Sequence, residues 1–161
     1  MKAILSADAN WGIGKDNQLL VRISEDMKFF REMTIGKVVV MGKKTFISLP
    51  NGPLKDRVNI VLSSDKNFAP PGAVVCGNTE KLLAKLRKYD SNVVFVVGGE
   101  AVFRLLLPFC DTVYITRINK VFDADRFLPN LDMDSAWALA EEGEQLFFEG
   151  VGYRRCVYRR V

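Results

Sequence analysis

Val93-Val94-Phe95-Val96-Val97-Gly98-Gly99-Glu100-Ala101 is a continuous apolar run that ends in two glycines and turns into a helix. An unbroken run of β-branched and aromatic residues reads as a central strand of a parallel sheet, covered on both faces. The helix that follows is expected to run through Leu107, with Pro108 stopping it. Glycines at such a strand–helix junction let backbone amides approach a pyrophosphate. Only two glycines are present, and no acidic residue clearly ends the next strand at the distance a dinucleotide fingerprint requires. A tight turn and a phosphate cradle both satisfy this pattern.

Working outward, further strands are expected at Ala3 to Ala7, Val38 to Met41, Val58 to Leu62, Ala73 to Cys76 and Thr112 to Ile118. Thr79 is positioned to cap a helix whose Leu82, Leu83 and Leu86 form a core-facing stripe. Thr45 to Leu49 reads as a short helix ended by Pro50. Phe122 to Pro129 reads as a loop, and Trp137 to Glu141 and Tyr153 to Tyr158 as final strands joined by a long connection. Strands alternating with helices, followed by a strand-rich tail, predict an α/β fold. Its central sheet is mixed but mostly parallel, with flanking helices and an antiparallel C-terminal end. A length of 161 residues suits one domain, 1–161.

Asp8 to Ile23 is a long irregular segment containing Trp11-Gly12-Ile13-Gly14. Its apolar residues Trp11, Ile13, Leu19, Leu20 and Val21 argue against disorder, so a lid or ligand-clamping loop is expected. The stretch Gly36 to Phe46 carries Gly42-Lys43-Lys44-Thr45, but its glycine spacing is wrong for a P-loop. What remains is a glycine, two lysines and a helix start in one place, either an anion site or a solvated basic turn.

Ser24 is placed to cap a helix running through Met27, Phe30 and Met33, an apolar stripe at helical spacing. Asp26 lies in its first turn, one turn from Phe30, so a carboxylate stands beside an aromatic at the mouth of the core. An aspartate here can simply favour the positive end of the helix dipole. It can also be a working carboxylate.

Composition narrows the chemistry. Hydrophobic residues make up 48% and charged residues 26%, the balance of a soluble globular protein. No apolar run is long enough for a membrane span, and the N-terminal segment does not read as a signal peptide, so a cytoplasmic protein is expected. The net charge of +4 suits an anionic small molecule, and no Lys/Arg tract marks a nucleic-acid tail. Cys76, Cys110 and Cys156 are widely spaced and read as reduced, buried thiols. There is no histidine. That removes the commonest general base, every Ser-His or Cys-His pair and most zinc sites, and no metal is expected. Proton chemistry falls to a carboxylate, a lysine, a tyrosine or water.

In order and spacing, these pieces resemble the dihydrofolate reductase family of the single-domain bacterial kind. Gly12-Ile13-Gly14 resembles the family's mobile active-site loop, and Asp26 stands where the family keeps the acidic residue of its pterin pocket. Met41-Gly42-Lys43-Lys44-Thr45 is similar to its phosphate turn. Pro53 to Ser64 is similar to its folate-tail and adenosine segment. Val97-Gly98-Gly99-Glu100-Ala101-Val102-Phe103 resembles its double-glycine turn, which in the family carries a cis peptide, and Tyr114-Ile115-Thr116-Arg117-Ile118 completes the set. Two positions depart: Leu20-Val21 replaces the family's Pro-Trp, and Lys43 replaces an arginine, losing its planar fork.

The resemblance implies NADPH-dependent reduction of dihydrofolate to tetrahydrofolate. It makes Asp26 the catalytic residue, binding the pterin and assisting its protonation, with Thr116 in support. Ile4, Met27, Phe30, Leu49, Leu54 and Val97 would wall the substrate, and Arg57 would pair its glutamate α-carboxylate. The cofactor would meet Ser6, Ile13 and Gly14, then Gly42, Lys43, Lys44 and Thr45, then Leu62, Ser63 and Ser64. Beyond these it would meet Gly98, Gly99, Glu100, Ala101, Val102 and Phe103. Antifolate inhibitors become plausible ligands. A monomer is expected, with neither nucleic acid nor membrane as partner. A pyrimidine reductase of riboflavin synthesis and a non-catalytic folate- or dinucleotide-binding module are the alternatives.

Overall fold

The computed structural model describes residues 1–161. In chain order the elements are β1 (Lys2–Ala7), β2 (Gly12–Gly14), α1 (Ser24–Thr34), β3 (Val38–Gly42), α2 (Lys43–Ser48), β4 (Val58–Leu62) and β5 (Ala73–Cys76). There follow α3 (Thr79–Leu86), β6 (Val94–Gly98), α4 (Glu100–Leu106), β7 (Thr112–Ile118), β8 (Arg126–Phe127), β9 (Trp137–Glu142), β10 (Leu146–Phe148) and β11 (Val151–Arg160). Nine strands form one sheet in the order β10-β11-β7-β1-β6-β3-β4-β5, with β9 also paired to β11. From β5 through β4, β3, β6 and β1 to β7 every pairing is parallel; β11 joins β7 antiparallel, and β9 and β10 join β11 antiparallel. The mostly parallel sheet with an antiparallel C-terminal end is therefore the observed architecture.

The apolar run that reads as a central strand is one. Val94 and Val96 enter the large core with Val38, Val40, Ile60, Leu82, Val102, Phe103 and Leu106 on one face. On the other face Val97 packs against the smaller cluster of Val39, Met41, Phe46 and Val61. Register extends that second face across the sheet. Ser6 pairs with Thr116 and Ile4 with Tyr114 across β1–β7, and Thr116 pairs with Arg155 across β7–β11. Paired residues share a face, so Ile4, Ser6, Thr116 and Arg155 all point to the side that carries α1.

Several helix starts differ from expectation. The residue capping α1 is Ile23, not Ser24, and no side-chain cap bond is made. Ile23 is buried against Ile118 and Tyr153, so packing of that side chain, not a hydroxyl, sets where the helix begins. For α3 the cap is Asn78, whose side chain accepts from the Lys81 amide, and Thr79 is already helical. The segment 122–129 is not all loop: β8 pairs with β2, a strand inside the glycine-bearing segment. Both pieces are too short to carry a periodic signal. The long C-terminal connection holds β10, hairpinned onto β11.

Trp11 does not belong to a lid. It lies in the main core at 6% exposure, edge-on to Tyr158 at 6.0 Å, with the Arg117 guanidinium 3.9 Å from its ring. The loop turns there instead, through a positive φ of 64° at Trp11. Leu19 remains exposed and Leu20 half-buried.

Candidate active site

Asp26 is the third residue of α1, and its carboxylate is turned onto the sheet rather than back onto the helix end. The Thr116 hydroxyl donates to Asp26 Oδ1 at 2.5 Å, joining the first turn of α1 to β7. The carboxylate side chain is 20% exposed. Burial pushes its pKa above the ordinary 3.8, while the Thr116 bond and the charge of Arg155 pull the other way. Burial wins because a desolvated anion loses hydration that one hydroxyl and one cation not in direct contact only partly replace.

The expected substrate walls come together on this same side of the sheet. Ile4 is 3% exposed, Phe30, Leu49, Leu54 and Val97 are half-buried, and Met27 is exposed at 45%. Leu49, Leu54 and Val97 lean on the Val39–Met41–Phe46–Val61 cluster. The apolar stripe of α1 is thus left largely open beside Asp26 rather than sealed in a core. Arg57 is fixed at the far end of α1. Its Nη1 donates to Thr34 Oγ1 at 3.0 Å, its Nε donates to the Lys55 carbonyl at 2.9 Å, and Thr34 in turn donates to the Phe30 carbonyl at 2.8 Å. Burial, and then the nearby charge of Arg31, lower the Arg57 pKa, though a guanidinium stays cationic at neutral pH.

Sequence reasoning missed Asn59. This buried side chain bonds the amide and carbonyl of Leu54, both at 2.9 Å, and the carbonyl of Arg57 at 3.1 Å. It holds the loop that presents Leu54 and Arg57. A polar residue in the otherwise apolar run Val58 to Leu62 was the available signal. Asp8 was missed too. It is fully buried and accepts from the amides of Asn10 at 2.9 Å, Gly12 at 2.8 Å and Phe122 at 2.9 Å. One carboxylate thereby fastens the glycine-bearing loop to the segment after β7. The same two segments also meet where the Asp125 amide donates to the Gly14 carbonyl at 3.0 Å. The loop reaches α2 as well, through Asn17 Nδ2 to the Lys44 carbonyl at 2.8 Å.

The residues expected around a cofactor gather where the parallel strands end. The carboxyl ends of β3, β4 and β6 lie side by side, the usual position of ligands in parallel sheets. They bring Gly42, Leu62 and the Gly98–Gly99 pair together. The Gly98–Gly99 peptide is cis, with Gly98 at φ 148°. A Cβ at Gly98 or Gly99 would come within 3.3 Å of Thr45 Oγ1, so α2 sits directly on the double-glycine turn. At Gly42 the corresponding neighbour is Val102 at 3.2 Å. Ser6 and Ile13 are half-buried, and Gly14 accepts the Asp125 amide.

Not every expected residue there offers its side chain. Val102 and Phe103 are buried in the core at 6% and 2% exposure, so only their backbone can meet a ligand. Glu100 Oε1 accepts the Phe127 amide at 2.6 Å, and Ala101 is exposed beside it. Lys43 Nζ is paired with Asp65 Oδ2 at 2.7 Å and lies 5.3 Å from the Phe68 ring. Ser63 Oγ accepts from the Asp65 amide at 3.2 Å, and Ser64 is exposed alongside.

This geometry has counterparts among known proteins. A family model described as dihydrofolate reductase matches residues 1–159. The dihydrofolate reductase of Bacillus subtilis is 35% identical over 142 residues, which span 87% of this chain and 82% of that protein. The bifunctional dihydrofolate reductase-thymidylate synthase of Glycine max is 36% identical over 149 residues, 81% of this chain but 28% of that longer protein. A solved structure of the Enterococcus faecalis dihydrofolate reductase complexed with NADP(H) and RAB-propyl superposes with a TM-score of 0.88 at 34% identity, covering 99% of this chain and 95% of that one. With a match over nearly all of its residues, the chain belongs to the dihydrofolate reductase family.

Proposed function

We propose that the protein reduces 7,8-dihydrofolate to 5,6,7,8-tetrahydrofolate using NADPH. The observation that carries this reading is the half-buried Asp26 carboxylate, held by Thr116 beside an open apolar stripe, with a glycine-rich, lysine-bearing sheet edge next to it. Two carboxylate oxygens match the paired N–H donors of a 2-amino-pyrimidinone ring. Asp26 grips that edge, raises the basicity of the ring nitrogen next to the carbon being reduced, and leaves water as the final proton donor. Thr116 fixes the carboxylate for this task. Met27, Phe30, Leu49 and Leu54 enclose the benzoyl portion, and Arg57 pairs the glutamate α-carboxylate.

The sheet edge fits a phosphorylated dinucleotide in two respects. The Gly98–Gly99 turn leaves no room for side chains against Thr45, which keeps its backbone open to close approach. Lys43, with Ser63 and Ser64 at the end of β4, supplies a cation and hydroxyls for a ribose phosphate. NADPH supplies the hydride when bound there, so no protein nucleophile is required. The protein acts as a cytoplasmic monomer of one domain, and antifolates compete for Asp26. No helix is long and apolar enough to cross a membrane.

Mixing the protein with NADPH and dihydrofolate and following nicotinamide absorbance tests the reading. Loss of absorbance that depends on both reactants supports it. Binding of both without turnover would mark a non-catalytic module. Turnover of a ribosylated aminopyrimidine but not of dihydrofolate would mark the pyrimidine reductase.

A further inference from the structure

Arg155 is the one charged side chain that β11 directs at Asp26. It sits opposite Thr116 in the β7–β11 ladder, so the hydroxyl that bonds Asp26 and the guanidinium share a sheet face. Arg155 Nε lies 4.0 Å from Asp26 Oδ1, the same oxygen that Thr116 contacts. That Nε is buried and donates to nothing. The rest of the guanidinium is held in place. Nη2 donates to the Glu25 carbonyl at 3.2 Å, and the planar group lies 4.4 Å from the Phe29 ring centroid. With 30% of the side chain exposed, this cation is only partly screened by water.

Nothing else charged competes for the role. Arg154 pairs with Glu142 at 2.7 Å, and Arg117 points to the opposite sheet face, where it meets Asp132 at 3.7 Å and Trp11. From β7 the group facing Asp26 is the neutral Thr116, and β1 contributes Ile4 and Ser6. On α1 itself Glu25, Lys28, Arg31 and Glu32 are exposed, as is Arg22 just before it. The immobilised guanidinium has an unused N–H and stands one small displacement from a direct bond to Oδ1.

We propose that Arg155 is a positioning residue of the active site. It braces the N-terminal half of α1 through Glu25 and Phe29, and through its charge it favours the ionised form of Asp26 against burial. An ionised Asp26 is the form that accepts two N–H donors, so Arg155 sets the lower pH limit at which the carboxylate can grip its ligand. This rests on the reading of Asp26 given above.

The test compares Arg155→Met and Arg155→Gln, both neutral, with Arg155→Lys, which keeps the charge. The readout is the pH titration of the Asp26 carboxyl carbon, followed by carbon NMR in the free protein and assigned with Asp26→Asn. A cation within about 4–6 Å lowers a carboxyl pKa by about one unit or more, so the midpoint should rise by about one unit in each neutral variant. Arg155→Lys should return it most of the way to wild type, and the pH profile of dihydrofolate turnover should move in step. A midpoint unchanged in the folded Met or Gln variant would overturn the proposal, even if melting temperature fell, because a purely structural brace moves stability without moving the titration. If the wild type does not reduce dihydrofolate, the functional reading fails, and the carboxyl titration still decides the role of Arg155.

Discussion

Asp26 and Asp65 each stand within 4.0 Å of one basic side chain, yet their acidities move in opposite directions. Asp65 is at the exposed end of β4, where a direct bond from Lys43 and the Asn67 amide pull its pKa down. Asp26 lies between α1 and β7, and there burial outweighs both Thr116 and Arg155. The two regions hold charge in different ways. At the sheet edge, charge costs little to hold and is easily screened. On the α1 side, charge is expensive to hold, and a carboxylate kept there is available to change the basicity of whatever it binds.

Removing the Asp26 charge should have the largest effect. Asp26→Asn is expected to fold and to lose turnover by about 10²–10⁴-fold at neutral pH. The loss should shrink as pH falls, because substrate then arrives already protonated. Stability should respond with the opposite sign. The folded chain binds the Asp26 proton more tightly than the unfolded chain, so the ionised carboxylate opposes folding at neutral pH. That penalty fades as pH falls through the raised value and is gone below the ordinary 3.8. Asp26→Asn should therefore melt at or above wild type at pH 7, with the advantage vanishing in acid. Stopped-flow rates and melting curves across pH check both halves, and a near-wild-type rate at neutral pH would sink the assignment.

Arg57 lies between the two extremes, partly buried and anchored by Thr34. Arg57→Ala should weaken dihydrofolate binding by about ten- to a hundredfold, the worth of a charge-assisted pair, and leave NADPH binding nearly unchanged. Titration with folate and with a pterin lacking the glutamate tail separates the roles. Equal weakening of both would make Arg57 structural.

At the exposed edge the effects should be smaller and should depend on salt. Lys43→Glu is expected to raise the NADPH Michaelis constant by roughly tenfold and the NADH constant little, with the wild-type preference for NADPH falling as salt rises. Asp65→Asn is the finer probe. It frees Lys43 from its present partner and should strengthen NADPH binding by about two- to fivefold at low salt. If Asp65→Asn changed turnover as deeply as Asp26→Asn, the division between the two regions would collapse.

Much of this site was legible before the fold. The apolar runs marked β3, β4 and β6 to within a residue or so, because a buried parallel strand is largely apolar on both faces, and the expected bounds of β7 also match. Asp26, Thr116 and the double-glycine turn were readable as pieces of a family pattern. Features set by long-range packing were not. Ile23 starts α1 because it is buried against Ile118 and Tyr153, contacts that local propensity cannot encode. Trp11 looked like lid material but lies in the core beneath Arg117, because the backbone turns at that residue and carries the ring inward. Asp8 and Asn59 are small polar residues whose partners are backbone groups, and backbone groups leave no trace in a sequence.

The order of strands and helices along the chain, the presence of Asp26 early in α1 and the lack of any histidine were determined by the sequence itself, since each depends on residue type and spacing along the chain. How acidic Asp26 is, and what stands behind it, only the tertiary structure decided. Its burial comes from packing α1 onto the sheet, and its cation arrives on β11, from a residue 130 positions away from the Glu25 carbonyl it also holds. Desolvation and charge act through space, so residues remote in the chain set the chemistry of one carboxylate.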